Sequence, residues 1–190
     1  MSRLPGVYKL FEEKWNGQTI WIISDTHFGD KDLRAGVPGR PSDEELVKLI
    51  NSKVGRKDVL IHLGDVGDTD FIRQLRGYKV LIMGNHDAGR TKYEEFFDEV
   101  YEGPLMIGEK LILSHEPVDI PWAYNIHGHD HAGALRIGHT NVCADVIGYT
   151  PINLNSWLKE GHTSRIQTIH RETIDTATKR AKKRGGKKKF

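Results

Sequence analysis

Five apolar runs punctuate the chain, and each gives way at once to a short polar motif. Ile20-Trp21-Ile22-Ile23 leads to Asp25-Thr26-His27, and Val59-Leu60-Ile61 to Gly64-Asp65. Val80-Leu81-Ile82-Met83 leads to Gly84-Asn85-His86-Asp87, Leu111-Ile112-Leu113 to His115, and the weaker Tyr124-Asn125-Ile126 to Gly128-His129-Asp130-His131. Short β-rich apolar runs predict buried strands. The polar motifs then stand at strand C-terminal ends, where open α/β sheets place their ligand sites. Between the strands, Ser42-Asp43-Glu44-Glu45 has the form of a capping box, and Leu46, Val47, Leu49, Ile50 and Val54 repeat with helical spacing. A helix over about 43–54 follows from that pattern. Strands near 58–63 and 79–83 alternate with a short helix near 69–75 and a helix near 91–98, whose apolar side is Tyr93, Phe96 and Phe97. Such alternation predicts an α/β layer with parallel pairing.

The flanks read differently. Val7 to Leu10 and Gln18 to Ile23 surround Trp15-Asn16-Gly17, so the N-terminus reads as a hairpin on an Asn-Gly turn. Residues 28–41, rich in Gly and Pro, read as a loop. Beyond residue 100, short strands are expected near 104–107, 110–114, 123–127, 134–137, 140–145 and 164–169, and helical signals stay weak until about 172–183. Antiparallel pairing or a second sheet is expected there, giving a β-sandwich flanked by helices.

Composition narrows the class. At 190 residues, 37% hydrophobic and 28% charged, the chain is expected to form one globular domain. No apolar stretch is long enough to span a membrane, and the N-terminal residues lack the apolar core of a secretory signal. The single cysteine, Cys143, cannot form an internal disulfide, which fits a reducing cytoplasm. Its simplest role is that of a small buried hydrophobe. The net charge of +2 hides an asymmetry: residues 179–190 carry eight cations and no acids, leaving +2 − 8 = −6 on residues 1–178. The boundary divides an acidic domain, 1–178, from a basic tail, 179–190. A run of like charges is usually a solvated appendage, and it can also contact nucleic acid. It contains no aromatic side chain for base stacking before its final Phe190.

The motifs together supply Asp25, His27, Asp65, Asn85, His115, His129 and His131, a set of oxygen and nitrogen donors large enough for two cations. On an extended chain, Asp25 and His27 would point the same way, as would His129 and His131. A carboxylate such as Asp65 can bridge two cations. His86 cannot easily bind the same ion as its neighbour Asn85 and is free for another task, while Asp87 can orient the His86 ring. Each histidine alone is more often a satisfied core or surface group than a ligand. Their joint occurrence at strand ends is what points to metal.

This order of motifs, Asp-x-His, Gly-Asp, Gly-Asn-His-Asp, His and Gly-His-x-His, over roughly residues 18–147, resembles the calcineurin-like metallophosphoesterase superfamily. Ile23-Ser24-Asp25-Thr26-His27-Phe28-Gly29 and His62-Leu63-Gly64-Asp65-Val66 are similar to a small single-domain bacterial and phage branch. The resemblance implies a four-layered α/β/β/α sandwich with two metals at the strand ends. It implies that Asp25, His27 and His131 bind the first metal, that Asn85, His115 and His129 bind the second, and that Asp65 bridges both. His86 is implied to act on the leaving oxygen as a catalytic residue, with Asp87 beside it, and His127 to be a spectator. The chain departs from the branch at Asp30, Lys31, Asp32 and Leu33, which bears on leaving-group preference. Arg40-Pro41 matches the branch, and Arg40 is a candidate for a phosphate oxygen or simply a loop arginine.

The expected reaction is phosphoester hydrolysis by metal-activated hydroxide on a small or nucleotide-type phosphodiester or phosphomonoester. Two divalent cations, Mn, Fe, Ni or Zn rather than Ca, suit mixed imidazole and carboxylate donors. Two alternatives differ in class: a nuclease or nucleic-acid-processing enzyme that uses the basic tail, and a non-catalytic metal-stabilised scaffold.

Overall fold

Alternation within the apolar runs decides the two faces of the central sheet. The computed structural model describes Trp15 and residues 17–107, 110–166 and 169–185. Its first sheet contains β1 (Ile20–Ile23), β2 (Val59–His62), β3 (Tyr78–Ile82), β4 (Glu99–Tyr101) and β9 (Ile152–Asn153) in the order β4-β3-β2-β1-β9. β1 to β4 pair in parallel, and β9 runs antiparallel to β1. Ile20, Ile22, Val59, Ile61, Val80 and Ile82 belong to one core, whereas Ile23, Leu60 and Leu81 belong to another. Strand side chains alternate, so burial of both sets means that this sheet is covered on both faces.

The second sheet has the order β5-β6-β7-β8, from β5 (Leu105–Met106), β6 (Leu111–Leu113), β7 (Tyr124–His127) and β8 (His139–Asn141). β6 to β8 are parallel and β5 is antiparallel. Leu111, Leu113 and Ile126 join the first core, which therefore lies between the sheets. The outer face of the first sheet packs on α2 (Asp43–Lys53) through Leu46, Val47 and Ile50. Ser42 caps that helix, its side chain accepting from Glu45 N, as the capping box predicts. Two mixed sheets with flanking helices is the α/β/β/α layering that the resemblance implied.

Several expectations need correction. Residues 28–41 are not all loop: Asp30 caps α1 (Lys31–Gly36) by accepting from Leu33 N. The segment near 91–98 makes only a 3₁₀ turn, Arg90–Lys92, and further turns, although Tyr93 and Phe97 are buried as expected. The Tyr93 hydroxyl is tied to Asp87 and Ala88 N, which pins this segment to the strand end rather than letting it extend as a helix. Residues 134–137 form no strand. The Asp130 carboxylate accepts from Ala132 N and Ala134 N and folds the chain into a turn, with Leu135 and Ile137 fully exposed. Of the strand expected near 164–169, residues 164–165 are turns, 167–168 lie outside the described residues, and α5 (Ile169–Gly185) begins at Ile169. β9 and α4 (Leu154–Lys159), which Asn153 caps, were not anticipated; they bury Leu154 and Trp157 against the inter-sheet core. The helix near 69–75 is the single turn α3 (Thr69–Ile72). The proposed strand Val7 to Leu10 lies outside the described residues. Among the described residues no helix is long and apolar enough to cross a membrane.

Candidate metal centre

The two sheets meet where the motif loops begin. Ser24 forms a parallel bridge with Cys143, Ser24 N donating to Val142 O at 3.0 Å and Ala144 N to Ser24 O at 2.9 Å. The loop after β1 is then laced to the loop after β2: Asp25 N donates to Gly64 O and His27 N to Asp65 O, both at 3.0 Å. Neither Asp25 nor His27 is extended; their φ values are 58° and 43°. They meet through a left-handed turn and not through strand alternation. Asp65 (φ 55°) and His129 (φ 67°) share this backbone region, which is uncommon for residues other than glycine.

The seven expected donors do converge. Asp25, His27 and Asp65 offer ligand atoms within 4.8 Å of one another, and so do Asp65, His115 and His129. Asp65 belongs to both groups: its Oδ2 lies 3.5 Å from His27 Nε2 and 3.4 Å from His115 Nε2. Its Oδ1 accepts from His86 N at 3.0 Å. The imidazoles divide the same way. His27 and His131 have ring centroids 5.2 Å apart, as His115 and His129 do at 5.0 Å.

The chemistry of these donors fits a cation. The Leu63 carbonyl can only accept, so His115 Nδ1 donates to it at 2.8 Å, which leaves Nε2 bare in the neutral ring. That bare nitrogen stands 2.8 Å from Asn85 Oδ1 and 3.2 Å from His129 Nδ1. On the other side, Asp25 Oδ1 and His27 Nε2 are buried and accept no hydrogen bond among the described residues. Burial lowers the His27 pKa against the opposing charges of Asp65 and Asp25, which keeps its ring a lone-pair donor. Where no proton lies between them, as at Asp25 Oδ1 and His27 Nε2, converging lone pairs are stabilised by a positive ion among them.

The residues around this cluster correct two expectations and add one participant. Arg40 is not available to substrate. Its side chain is 3% exposed, and both terminal nitrogens are engaged, by Asp145 at 2.5 Å, Thr26 O at 2.6 Å and Asp25 O at 3.1 Å. Asp87 does not orient the His86 ring. It accepts from Asp65 N, Val66 N, Gly84 N and the Tyr93 hydroxyl, so it joins the Gly64-Asp65 loop to the Gly84 loop. Asp145 is the added participant. Its Oδ2 meets His131 Nδ1 at 2.6 Å, leaving His131 Nε2 to face Asp25 Oδ1 at 3.7 Å. Burial alone would raise the Asp145 carboxyl, but the His131 bond and the Arg40 charge outweigh it and hold its pKa at about 2. The Asp145 bond in turn raises His131. The sequence did carry a signal for Asp145, which follows the apolar Val142-Cys143-Ala144 just as the other motifs follow theirs. His127 is buried, with Nδ1 2.8 Å from Gly128 O, and lies outside the cluster.

An open cavity of about 430 Å³ faces the donors, lined by Asp30, Leu33, His86, His129 and His131 among others. His86 is exposed there, its ring 5.9 Å from that of His27 and without a hydrogen bond among the described residues. A second cavity of about 270 Å³, lined by Asn85, His115, Glu102 and Glu116 among others, adjoins the other side of the cluster.

Comparison with known proteins gives the family and the fold. A protein of unknown function from Aquifex aeolicus shares the fold, with a TM-score of 0.63 and 25% identity over 75% of this chain and 98% of its own. The nuclease MPE of Pseudomonas putida is more distant, with a TM-score of 0.45 and 23% identity over 59% of this chain and 61% of its own. Among curated proteins none matches. The profile described as calcineurin-like phosphoesterase matches residues 18–184, and the chain belongs to that family of metal-dependent phosphoesterases.

Proposed function

We propose that the protein hydrolyses phosphodiesters of small or nucleotide type with two divalent cations. The observation that carries this reading is the shared Asp65 oxygen, 3.5 Å from His27 Nε2 and 3.4 Å from His115 Nε2. In this reading Asp25, His27 and His131 hold one cation, Asn85, His115 and His129 the other, and Asp65 both. When bound, such a pair makes hydroxide available near neutral pH and offsets the charge that develops on the phosphoryl group. His86 is tethered through its own backbone N–H to Asp65 and presents to the cavity a ring with no hydrogen bond among the described residues. Water, having given one proton to solvent, would add to phosphorus as hydroxide, the ester P–O bond would break, and a ring N–H of His86 would supply the proton that the leaving oxygen needs. Cavities on both sides of the cluster give room for both arms of a diester, and this favours diesters over monoesters.

A panel of phosphomonoesters, linear diesters and cyclic nucleotides, each assayed with Mn²⁺, Fe²⁺, Ni²⁺, Zn²⁺ and Mg²⁺, tests the proposal. Turnover of monoesters alone would reverse the preference, and no turnover of any ester would return the scaffold reading. His86→Gln is expected to keep both ions and to lose about 10²–10⁴-fold in kcat; loss of an ion would overturn the role given to His86. One observation favours nucleic acid as a second reading: α5 exposes Lys179, Arg180, Lys182 and Lys183. Deleting residues 179–190 would then weaken DNA or RNA binding and flatten its salt dependence, with turnover of a small diester unchanged.

A further inference from the structure

The first donor group contains a side chain that the motif pattern leaves out. Cys143 is wholly buried, and its Sγ, a carboxylate oxygen of Asp25 and a ring nitrogen of His131 all lie within 4.8 Å of one another. The backbone puts it there, because Cys143 is bridged to Ser24, the residue before Asp25. A separate observation concerns the same carboxylate. Asp25 Oδ2 accepts from His129 N at 2.9 Å, while Oδ1, fully buried, accepts no hydrogen bond among the described residues. His131 makes no hydrogen bond to it: Asp145 holds its Nδ1, and its Nε2 stands 3.7 Å from Asp25 Oδ1. Among the described residues the thiol's hydrogen-bond acceptor is Asp145 Oδ2 at 4.0 Å, a long contact that a bond to a cation would replace. A buried carboxylate with one unbonded oxygen, an imidazole and a sulfur thus lie together.

We propose that Cys143 is a further ligand, as thiolate, to the cation held by Asp25, His27 and His131. This rests on the two-cation reading above. As the sulfur–metal bond forms, the S–H bond breaks and its proton leaves to solvent. A sulfur donor tilts that position toward Zn²⁺, Fe²⁺ or Co²⁺ and away from Mg²⁺ and Ca²⁺, which prefer oxygen alone. The two positions then differ in kind: one has a soft donor, the other only nitrogen and oxygen.

The test is spectroscopic and does not depend on turnover. The full chain is loaded with Co²⁺ for absorption and with Zn²⁺ for X-ray absorption. Expected are a near-ultraviolet sulfur-to-cobalt charge-transfer band and a zinc–sulfur shell at about 2.3 Å. Cys143→Ser should lose both, keep the visible cobalt bands, and bind Zn²⁺ about tenfold or more weakly. Visible cobalt bands with no sulfur band, and a zinc shell of nitrogen and oxygen alone, would overturn the Cys143 proposal and leave the metal centre standing. Failure to bind either ion would overturn the two-cation reading and this proposal with it. The spectra of the unmodified chain decide the matter even if the variant folds poorly.

Discussion

His62 gives the most direct test of how the site is built, because it is buried behind the ligands without being one. It lies at the end of β2, fully buried, with Nε2 2.9 Å from Thr26 Oγ1. The Thr26 hydroxyl donates its one proton to Val66 O at 2.9 Å, so it must accept from His62 Nε2. The remaining nitrogen, Nδ1, is buried with no partner among the described residues. A proton there would be a buried donor with nothing to meet. Burial accordingly lowers the His62 pKa from 6.5 to about 4, against the opposing charges of Asp87 and Asp25. In the unfolded chain the same imidazole takes up a proton near its ordinary value. Above that value neither state is protonated and the group contributes nothing. Below it the unfolded state binds a proton that the folded state refuses, so stability falls with falling pH until the folded pKa is reached. At about 1.4 kcal/mol per pH unit, the gap costs about 3 kcal/mol. Urea unfolding of the unmodified protein and of His62→Gln, across about pH 7 to about pH 4 in the same buffers, isolates this effect, since every other titrating group is common to both. The stability advantage of the unmodified protein over the variant should shrink by about 3 kcal/mol over that range. Parallel curves would show that His62 takes up its proton in the folded protein and that the tautomer argument is wrong.

Other perturbations probe the cluster itself. A Cβ at Gly84 would stand 2.3 Å from Asp65 Oδ1 and 2.7 Å from Asp65 N, so Gly84→Ala should displace the shared carboxylate; elemental analysis should find fewer than two ions per chain. Asp145→Asn leaves the buried Arg40 without a counter-charge and should cost about 3–5 kcal/mol in urea unfolding. It should also lower metal affinity about tenfold to a hundredfold by freeing His131, and equal affinity would deny Asp145 a positioning role. His129 is exposed at φ 67°, so His129→Gly should be more stable than His129→Ala by about 1 kcal/mol in chelator. That order is the reverse of the usual one, in which alanine exceeds glycine within regular structure.

The parallel half of the fold was legible because its strands are short, apolar and covered on both faces. Ile20-Trp21-Ile22-Ile23 and Val80-Leu81-Ile82 cannot be placed elsewhere without exposing apolar surface. Ser42 worked for a local reason, since a capping box is complete within four residues. The errors arose where distant or side-chain bonds override local preference. Tyr93 has the helical neighbours Phe96 and Phe97, but its hydroxyl answers to Asp87. Leu135 and Ile137 alternate like strand residues, but Asp130 folds that segment into a turn. Ile152 and Asn153 make a strand two residues long, beneath any periodicity, and it is set by its pairing with Trp21 and Ile22.

At the site the donor types were legible and the backbone was not. Period-two spacing suggested that Asp25 with His27, and His129 with His131, point together from extended chain. Instead Asp25, His27, Asp65 and His129 all have positive φ, a conformation that costs of order 1–3 kcal/mol for each non-glycine residue. Glycine would relieve that cost at every one of these positions, yet glycine carries no ligand atom. Neighbouring loops hold the strain. Asp25 N and His27 N are bonded to the Gly64-Asp65 turn, and Asp87 gathers Asp65 N, Val66 N and Gly84 N onto one carboxylate. Arg40 fastens the Asp25 and Thr26 carbonyls from the other side. In sequence Asp87 looked like the group that orients His86, and Arg40 like a group for a phosphate oxygen. Both are better explained as the bonds that keep strained ligand residues in place before any cation arrives, so that little reorganisation is left for binding to drive.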